Sequence, residues 1–547
     1  MGAGLSIIFV FTVQIIGSGK VLEQSGWPGL AMYAVLLAVA VGLLLALRRR
    51  RGFGSHRKPR RFDTNMVVIG AGSAGLVTAY IASAVRAKVT LVEKHQMGGD
   101  CLNTGCVPSK ALIRAARAVH EARAAAELGI KVAEPQVDFA KVMARVQRVI
   151  DQVAPHDSIE RYTELGVDCM TGEATILSPW EVRVGQQVLT TRSIVIASGA
   201  SPIVPPIPGI DAVDYLTSDN LWQLEAQPRT LLILGGGPIG CELAQAFQRL
   251  GTAVTLVDML PRLLPREDED VSILVAEQFA AEGVRVLTSH KTIAFEKDGG
   301  RDVAVLEAVA DAKGVAGPGG ANVRLLFDKL LVAVGRRANT EGLGLEALGI
   351  ATTPTGTIAV DKYLRTCIPT IYACGDVAGP YQFTHTAAHQ AWYAAVNALF
   401  GTFKKFKVNY RVIPWVTFTD PEVARVGLSE SDAREKGIAY EVTRYDLADL
   451  DRAIADNAAR GFVKILTPPG RDTVLGATIV GYHAGELLTE FVTAMQHGLG
   501  LNRILGTIHS YPTVSEANKF AAGTWKRAHV PRRLLRVVAL LHRWKRG

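Results

Sequence analysis

Cysteine is scarce in this chain, with six residues in 547. That scarcity excludes a disulfide-stapled secreted scaffold and favours a reducing compartment. Acid is missing from two stretches near the ends. Residues 48–61 carry eight Lys or Arg and no acid, and residues 526–547 carry another eight and no acid. Without those sixteen, 44 basic residues face 51 acidic ones, so the body is mildly acidic although the formal charge is +9. A nucleic-acid binder carries its basic surface on the folded body, so no nucleic-acid partner is expected.

Long apolar runs are also few. Residues 29–47, GLAMYAVLLAVAVGLLLAL, are nineteen positions without a charge, roughly 28 Å as a helix and enough to cross a bilayer core. RRRR follows at once, which argues against a cleaved leader. The expectation is a membrane anchor and basic linker over 1–62, with the catalytic domains on the cytoplasmic side. A shorter run, residues 5–16, reads as an interfacial segment or part of a second span. In the tail, Leu534, Val537, Val538, Leu541 and Trp544 share one helical face and Arg532, Arg536 and Arg543 the other. That is a basic amphipathic helix, expected on an anionic membrane or packed on its own domain.

The length calls for several domains, and a repeat shows where two of them lie. Residues 66–93, MVVIGAGSAGLVTAYIASAVRAKVTLVE, and residues 231–258, LLILGGGPIGCELAQAFQRLGTAVTLVD, match landmark for landmark at an offset of 165. Gly70, Gly72, Gly75 and Glu93 in the first copy correspond to Gly235, Gly237, Gly240 and Asp258 in the second. Each copy has an apolar strand, a glycine turn, a helix, and an acid on a second strand. The first glycine makes the turn, the second admits a pyrophosphate, and the third lets the helix pack close. The acid accepts ribose hydroxyls. Two copies imply two dinucleotides, a flavin and a nicotinamide. Asp258 favours NADH, since a carboxylate repels a 2′-phosphate, and Arg262 softens that preference.

GGDCLNTGCVPSK, residues 98–110, places Cys101 and Cys106 just after the first nucleotide acid. A metal site needs about four ligands, and only His95 and Asp100 lie close in sequence. A structural disulfide across five positions has little purpose, which leaves a redox pair beside the flavin. Cys106 opens an Ala-rich helical stretch, where the dipole and Lys110 favour thiolate. Cys169, Cys241, Cys367 and Cys374 read as small buried residues.

This stretch resembles the redox-disulfide signature of the class I flavoprotein disulfide reductases, which include dihydrolipoamide dehydrogenase, glutathione reductase and mercuric reductase. Further segments resemble the family in order. They are ASGASP (197–202, with Ser198 and Gly199), TSDNLW (217–222), VGRRANT (334–340, with Gly335), YACGDVAG (372–379, with Asp376) and FTDPEVARVGLSE (418–430). The resemblance implies an α/β fold with two Rossmann-like domains and an α+β dimerisation domain. FAD is expected on 63–215 with 343–410, NAD(P)H on 216–342, and a homodimer interface over 411–525. It further implies Gly99 and Asp376 at the flavin, Cys101 as the interchange thiol, Cys106 as the flavin-side thiolate, and a Lys110–Glu242 pair. Electrons would run from NAD(P)H through FAD and the disulfide to an acceptor.

Members that reduce disulfides end in His-x-His-Pro-Thr-x-Ser-Glu, whose second His is the acid–base group supplied by the other protomer. Here IHSYPTVSE keeps His509 and Glu516 but puts Tyr511 at that position. Tyrosine, with a pKa of about 10, is a poor base. If the segment is extended, His509 points the same way as Tyr511 and would substitute. Mercuric reductases also carry a Tyr near this point but add a C-terminal cysteine pair, and no Cys follows Cys374 here. The leading expectation is an FAD-dependent NAD(P)H oxidoreductase passing electrons to a disulfide acceptor. Lipoamide-type or mercuric activity, thiol-independent quinone reduction, and a flavin-binding sensor without turnover are the competing readings. No resident metal is expected.

Overall fold

The computed structural model describes residues 53, 56–309 and 322–547. The first sheet is built on the strand Thr64–Ile69. It pairs in parallel with Val89–Glu93 on one side and Gln187–Ile196 on the other. Val167–Thr171 extends one edge, and Ile371–Ala373 pairs with the end of Gln187–Ile196. These strands are buried on both faces, as parallel strands are. Met66, Val68 and Leu91 meet the helices Ser73–Ala84 and Thr384–Phe400, while Val67, Ile69 and Val92 face a second apolar layer. Ala79, Ala82, Ala391 and Ala394 are fully buried, so the two helices meet through small side chains.

The second sheet repeats the plan. Thr230–Leu234 pairs in parallel with Ala253–Val257 and Lys329–Val332, and Arg285–Leu287 and Tyr215–Leu216 form the edges. An antiparallel sheet of His290–Asp298, Arg301–Ala308 and Val323–Phe327 lies beside it. Strand Arg336–Ala338 then returns to pair with Ala200–Pro202. The third unit is an antiparallel five-stranded sheet, from Pro414–Thr417 through Glu422–Gly427, Gly476–Gly481 and Phe462–Thr467 to Glu441–Asp446. The α/β fold with a separate C-terminal sheet agrees with the expected class.

Buried charge joins the second and third units. Lys464, from the C-terminal sheet, is 2 % exposed and meets Asp268, Asp270 and Glu430 at 2.9, 2.7 and 3.0 Å. Arg425 meets Glu267 at 2.9 Å and Asp432 at 2.5 Å. An ion buried this way persists only when its partners are in place, so these contacts fix how the two units meet.

The membrane assignment is corrected. Among the described residues no helix is long and apolar enough to cross a membrane. The nineteen-residue helix Cys106–Ala124 carries Lys110, Arg114, Arg117, Glu121 and Arg123. The expected span 29–47 and the run 5–16 lie outside the described residues. The expected tail helix is present as Arg532–Arg546, with Leu534, Val537, Leu541 and Trp544 exposed. The reading of the four remaining cysteines is also corrected. Cys241 and Cys374 are buried, but Cys169 is half-buried and Cys367 is exposed in a loop.

Candidate active site

Both glycine turns show why no other residue fits. Gly70 has φ +100°, and a Cβ there would lie 2.4 Å from the Ala197 carbonyl. A Cβ on Gly75 would lie 1.7 Å from the Gly70 carbonyl. The second unit copies this with Gly235 at φ +109°, and a Cβ on Gly240 would lie 1.9 Å from the Gly235 carbonyl. Around Gly237 nothing lies within 4 Å of the added carbon, so backbone is open there to a phosphate, as the middle glycine requires. Glu93 accepts from the Ala71 and His95 amides at 2.6 and 2.8 Å, and Asp258 from the Gly236 and Leu260 amides at 2.5 and 2.7 Å. Each acid is thus fixed over its own turn.

The remaining flavin-side candidates gather near the first turn. Gly99, at φ +56°, faces Gly72 so closely that a Cβ would lie 2.6 Å from the Gly72 Cα. Ser198 donates to the Asn339 carbonyl at 2.7 Å, and the Asn339 amide donates to the Gly199 carbonyl at 3.0 Å. Gly335, at φ +141°, precedes Arg336, whose guanidinium bonds Asp100 and the Ala200 carbonyl. Asp376 follows the strand Ile371–Ala373. Burial pushes its pKa up to about 6 against the pull of Arg336. A buried, costly carboxyl beside a glycine turn fits a group that brings hydroxyls to it, as a flavin ribityl chain does.

The cysteine pair occupies two short elements joined by Gly105. Cys101 lies in the helix Gly99–Asn103 and Cys106 is the first residue of Cys106–Ala124. The two thiols differ. The hydrogen bond from Cys101 lowers Cys106 to about 6, with the Thr384 hydroxyl and the Lys110 charge adding to it against burial. Cys101 is pushed well up by the same hydrogen bond, by burial and by the charge on Cys106. The surroundings thus bias Cys106 toward thiolate and Cys101 toward thiol. Lys110 Nζ meets Glu242 Oε2 at 2.8 Å and lies 4.4 Å from the centre of the Phe418 ring. Glu242 Oε1 accepts from the Phe418 amide at 2.9 Å. One buried glutamate from the second unit thus ties the cysteine helix to the third.

Two contributors escaped sequence reasoning. Thr384 Oγ1 lies 3.4 Å from Cys106 Sγ across 278 positions of chain, and Phe418 comes from the third unit. No local pattern marks either.

On the acceptor side the expected geometry is partly overturned. Tyr511 is 71 % exposed and donates to Asp451 at 3.1 Å, a bond that raises its pKa further. It lines a cavity of about 320 Å³ with Glu516, Asp451, Tyr445, Phe520 and Arg527. His509 does not share that cavity. Its Nε2 meets Glu490 at 3.1 Å and its Nδ1 the Thr507 carbonyl at 3.1 Å. The segment is not a strand, so His509 and Tyr511 take separate partners and the substitution by His509 is not realised. Glu516 opens the helix Glu516–Ala528 and accepts from the Thr513 amide at 3.4 Å.

Two dinucleotide turns converging on a split thiol–thiolate pair define a nucleotide-linked dithiol oxidoreductase. Residues 64–391 match the pyridine nucleotide-disulphide oxidoreductase family and residues 413–522 match its dimerisation domain. The chain belongs to this family of enzymes, which uses FAD and NAD(P)H, and the dimerisation domain supports a homodimer. It is 36% identical over 467 residues to mercuric reductase of Streptomyces lividans, covering 84% of this chain and 96% of that protein. It is 34% identical over 460 residues to dihydrolipoyl dehydrogenase of Chlamydia pneumoniae, covering 83% and 95%. The Cu(II) complex of the HOCl-induced flavoprotein disulfide reductase RclA from Escherichia coli superposes with a TM-score of 0.73. Its identity is 28%, over 83% of this chain and 99% of that one.

Proposed function

We propose that the chain transfers a reducing pair from NADH through FAD to the Cys101–Cys106 disulfide, and from the resulting dithiol to a disulfide acceptor. The observation that carries this reading is the setting of the pair, with Cys106 at a helix start, 3.4 Å from the Thr384 hydroxyl and one turn from the Lys110–Glu242 ion pair, which biases Cys106 toward thiolate and Cys101 toward thiol. A thiol that keeps its proton beside a stabilised thiolate suits a relay in which one sulfur attacks outward and the other closes the disulfide. FAD, when bound, supplies the two-electron exchange between nicotinamide and sulfur. The chain's own part is to hold Cys106 charged through Thr384 and Lys110 and to brace Lys110 with Glu242. NADH is the favoured donor because Asp258, held over the second glycine turn by the Gly236 and Leu260 amides, would repel a 2′-phosphate. Arg262 is turned to the Pro265 and Glu267 carbonyls, both at 3.3 Å, instead of toward a 2′-phosphate.

A second reading is favoured by the relatives. One relative is named a mercuric reductase and one similar structure is a Cu(II) complex, which motivates a metal ion as electron acceptor at Cys101 and Cys106. Anaerobic NADH titration with thiol counting, followed by turnover with disulfides, Hg²⁺ and Cu²⁺, tests both. Two new thiols per flavin and loss of turnover in Cys101→Ser are expected. NADH reduction that yields no thiols would refute the relay.

A further inference from the structure

The cavity of about 320 Å³ that Tyr511 lines has a volume in the range of small-molecule sites. Three elements of the third unit shape it. Tyr445 comes from the strand Glu441–Asp446, Asp449 from the short turn Leu447–Asp449, and Asp451 opens the helix Asp451–Ala455 that follows. Across from them, Glu516, Phe520 and Arg527 reach the cavity from the helix Glu516–Ala528. The Tyr445 and Phe520 rings, with centroids 5.6 Å apart, make one wall aromatic.

The polar side chains of this lining are rich in acceptors and poor in donors. The Tyr511 hydroxyl commits its proton to Asp451 at 3.1 Å, and the Tyr445 hydroxyl donates to the Asp449 carbonyl at 2.9 Å. Each phenol oxygen is left with lone pairs and no free donor. Glu516 is only 7 % exposed, and the one hydrogen bond to its carboxylate is the long contact from the Thr513 amide to Oε2 at 3.4 Å. Tyr511 has turned to Asp451, so Oε1 of Glu516 has no partner among the described residues. Its position in the first turn of a helix favours the charged form. Among the described residues none of Asp449, Asp451 and Glu516 forms an ion pair. Arg527, the one cation of the lining, donates instead to Thr524 Oγ1 at 3.0 Å. A carboxylate as buried as Glu516 is costly without a positive partner.

We propose that this cavity is a binding site for an organic ammonium ion, an aliphatic amine or polyamine. Ammonium N–H groups supply the donors that Glu516 Oε1, the Asp449 carboxylate and the two phenol oxygens lack. The aromatic wall takes the methylene chain, and ring faces attract the charge. A metal ion does not suit the site, since among the described residues no group of three or more His, Cys, Asp or Glu could hold one. An anion would meet three carboxylates, and a neutral ligand would leave Glu516 without a counter-charge. Binding here uses neither flavin nor thiols, so it does not rest on the disulfide-acceptor reading.

The test is calorimetric titration of the FAD-loaded full chain with spermidine, with pentanediol and glutarate as neutral and anionic probes. Saturable binding of one spermidine per protomer is expected, and neither control should saturate. Glu516→Gln keeps the side-chain shape and should weaken spermidine about tenfold, the size of one charge-assisted hydrogen bond. Asp449→Asn should weaken it about threefold, as for an exposed pair. Asp449 is exposed, so this variant keeps the test decisive should Glu516→Gln fail to fold. Arg527→Ala should tighten binding, because it removes the one opposing cation, whereas damage to the wall alone would weaken it. The proposal is overturned by no saturable spermidine binding in the parent protein, by glutarate binding as tightly, by an affinity that either folded carboxylate variant leaves unchanged, or by weaker binding in Arg527→Ala. No turnover is read, so a failed thiol relay leaves this result standing.

Discussion

Replacing Thr384 by Val keeps the side-chain shape and removes the hydroxyl 3.4 Å from Cys106 Sγ. The lost donor stabilised the charged form, so the Cys106 pKa must rise. A hydrogen bond to a charged group contributes about 1.5–3 kcal/mol, and Cys106 is exposed, so screening places the loss near the low end. That is about one pKa unit, carrying Cys106 from about 6 to about 7. At pH 6 the thiolate fraction would fall from about one half to about one tenth. The assay is a brief iodoacetamide pulse on the dithiol form between about pH 5 and pH 9, with Cys106 labelling read on its own peptide. A profile that stays in place, or moves to lower pH, would show that the hydroxyl does not hold the thiolate.

Gly75→Ala should abolish FAD binding and Gly240→Ala should abolish NADH binding while FAD remains. Each added carbon would lie within 2 Å of a carbonyl oxygen, and flavin absorbance and nucleotide titration separate the two. Lys464→Met strands Asp268 and should cost about 3–5 kcal/mol, read as a lower urea midpoint. Burial pushes Asp268 up, but the Lys464 hydrogen bond and charge bring it below the carboxylate range. Its stabilising contribution is therefore full above the ordinary Asp value of about 4 and is lost as pH falls through the lowered value. Lys464 itself is raised, by hydrogen bonds to Asp270, Asp268 and Glu430 that outweigh its burial. Its contribution is full below about pH 10 and is lost as pH rises through the raised value. The variant should show a shallower acid limb. Tyr511→His should raise turnover with aliphatic disulfides, and unchanged rates with every disulfide tried would argue that the acceptor is not a thiol disulfide.

The residues that the sequence determined by itself are those whose chemistry depends on near neighbours. A glycine turn, the acid 23 positions later and a thiol at a helix start are local devices. Spacing alone therefore marked Gly70, Gly235, Glu93, Asp258, Cys101 and Cys106, and the repeat disclosed the two Rossmann-like units. The apolar run 29–47 was equally legible as a pattern, and it lies outside the described residues. Only the tertiary structure decided what surrounds the thiols. Thr384 and Phe418 come from distant segments, and their places follow from helix packing and from how the buried charges dock one unit on another. The same holds for His509 and Tyr511. Their spacing predicted a shared direction, but the bends of the segment and the pull of Glu490 and Asp451 sent them apart. Local geometry is written in neighbouring residues, whereas proton placement depends on every charge that folding brings near.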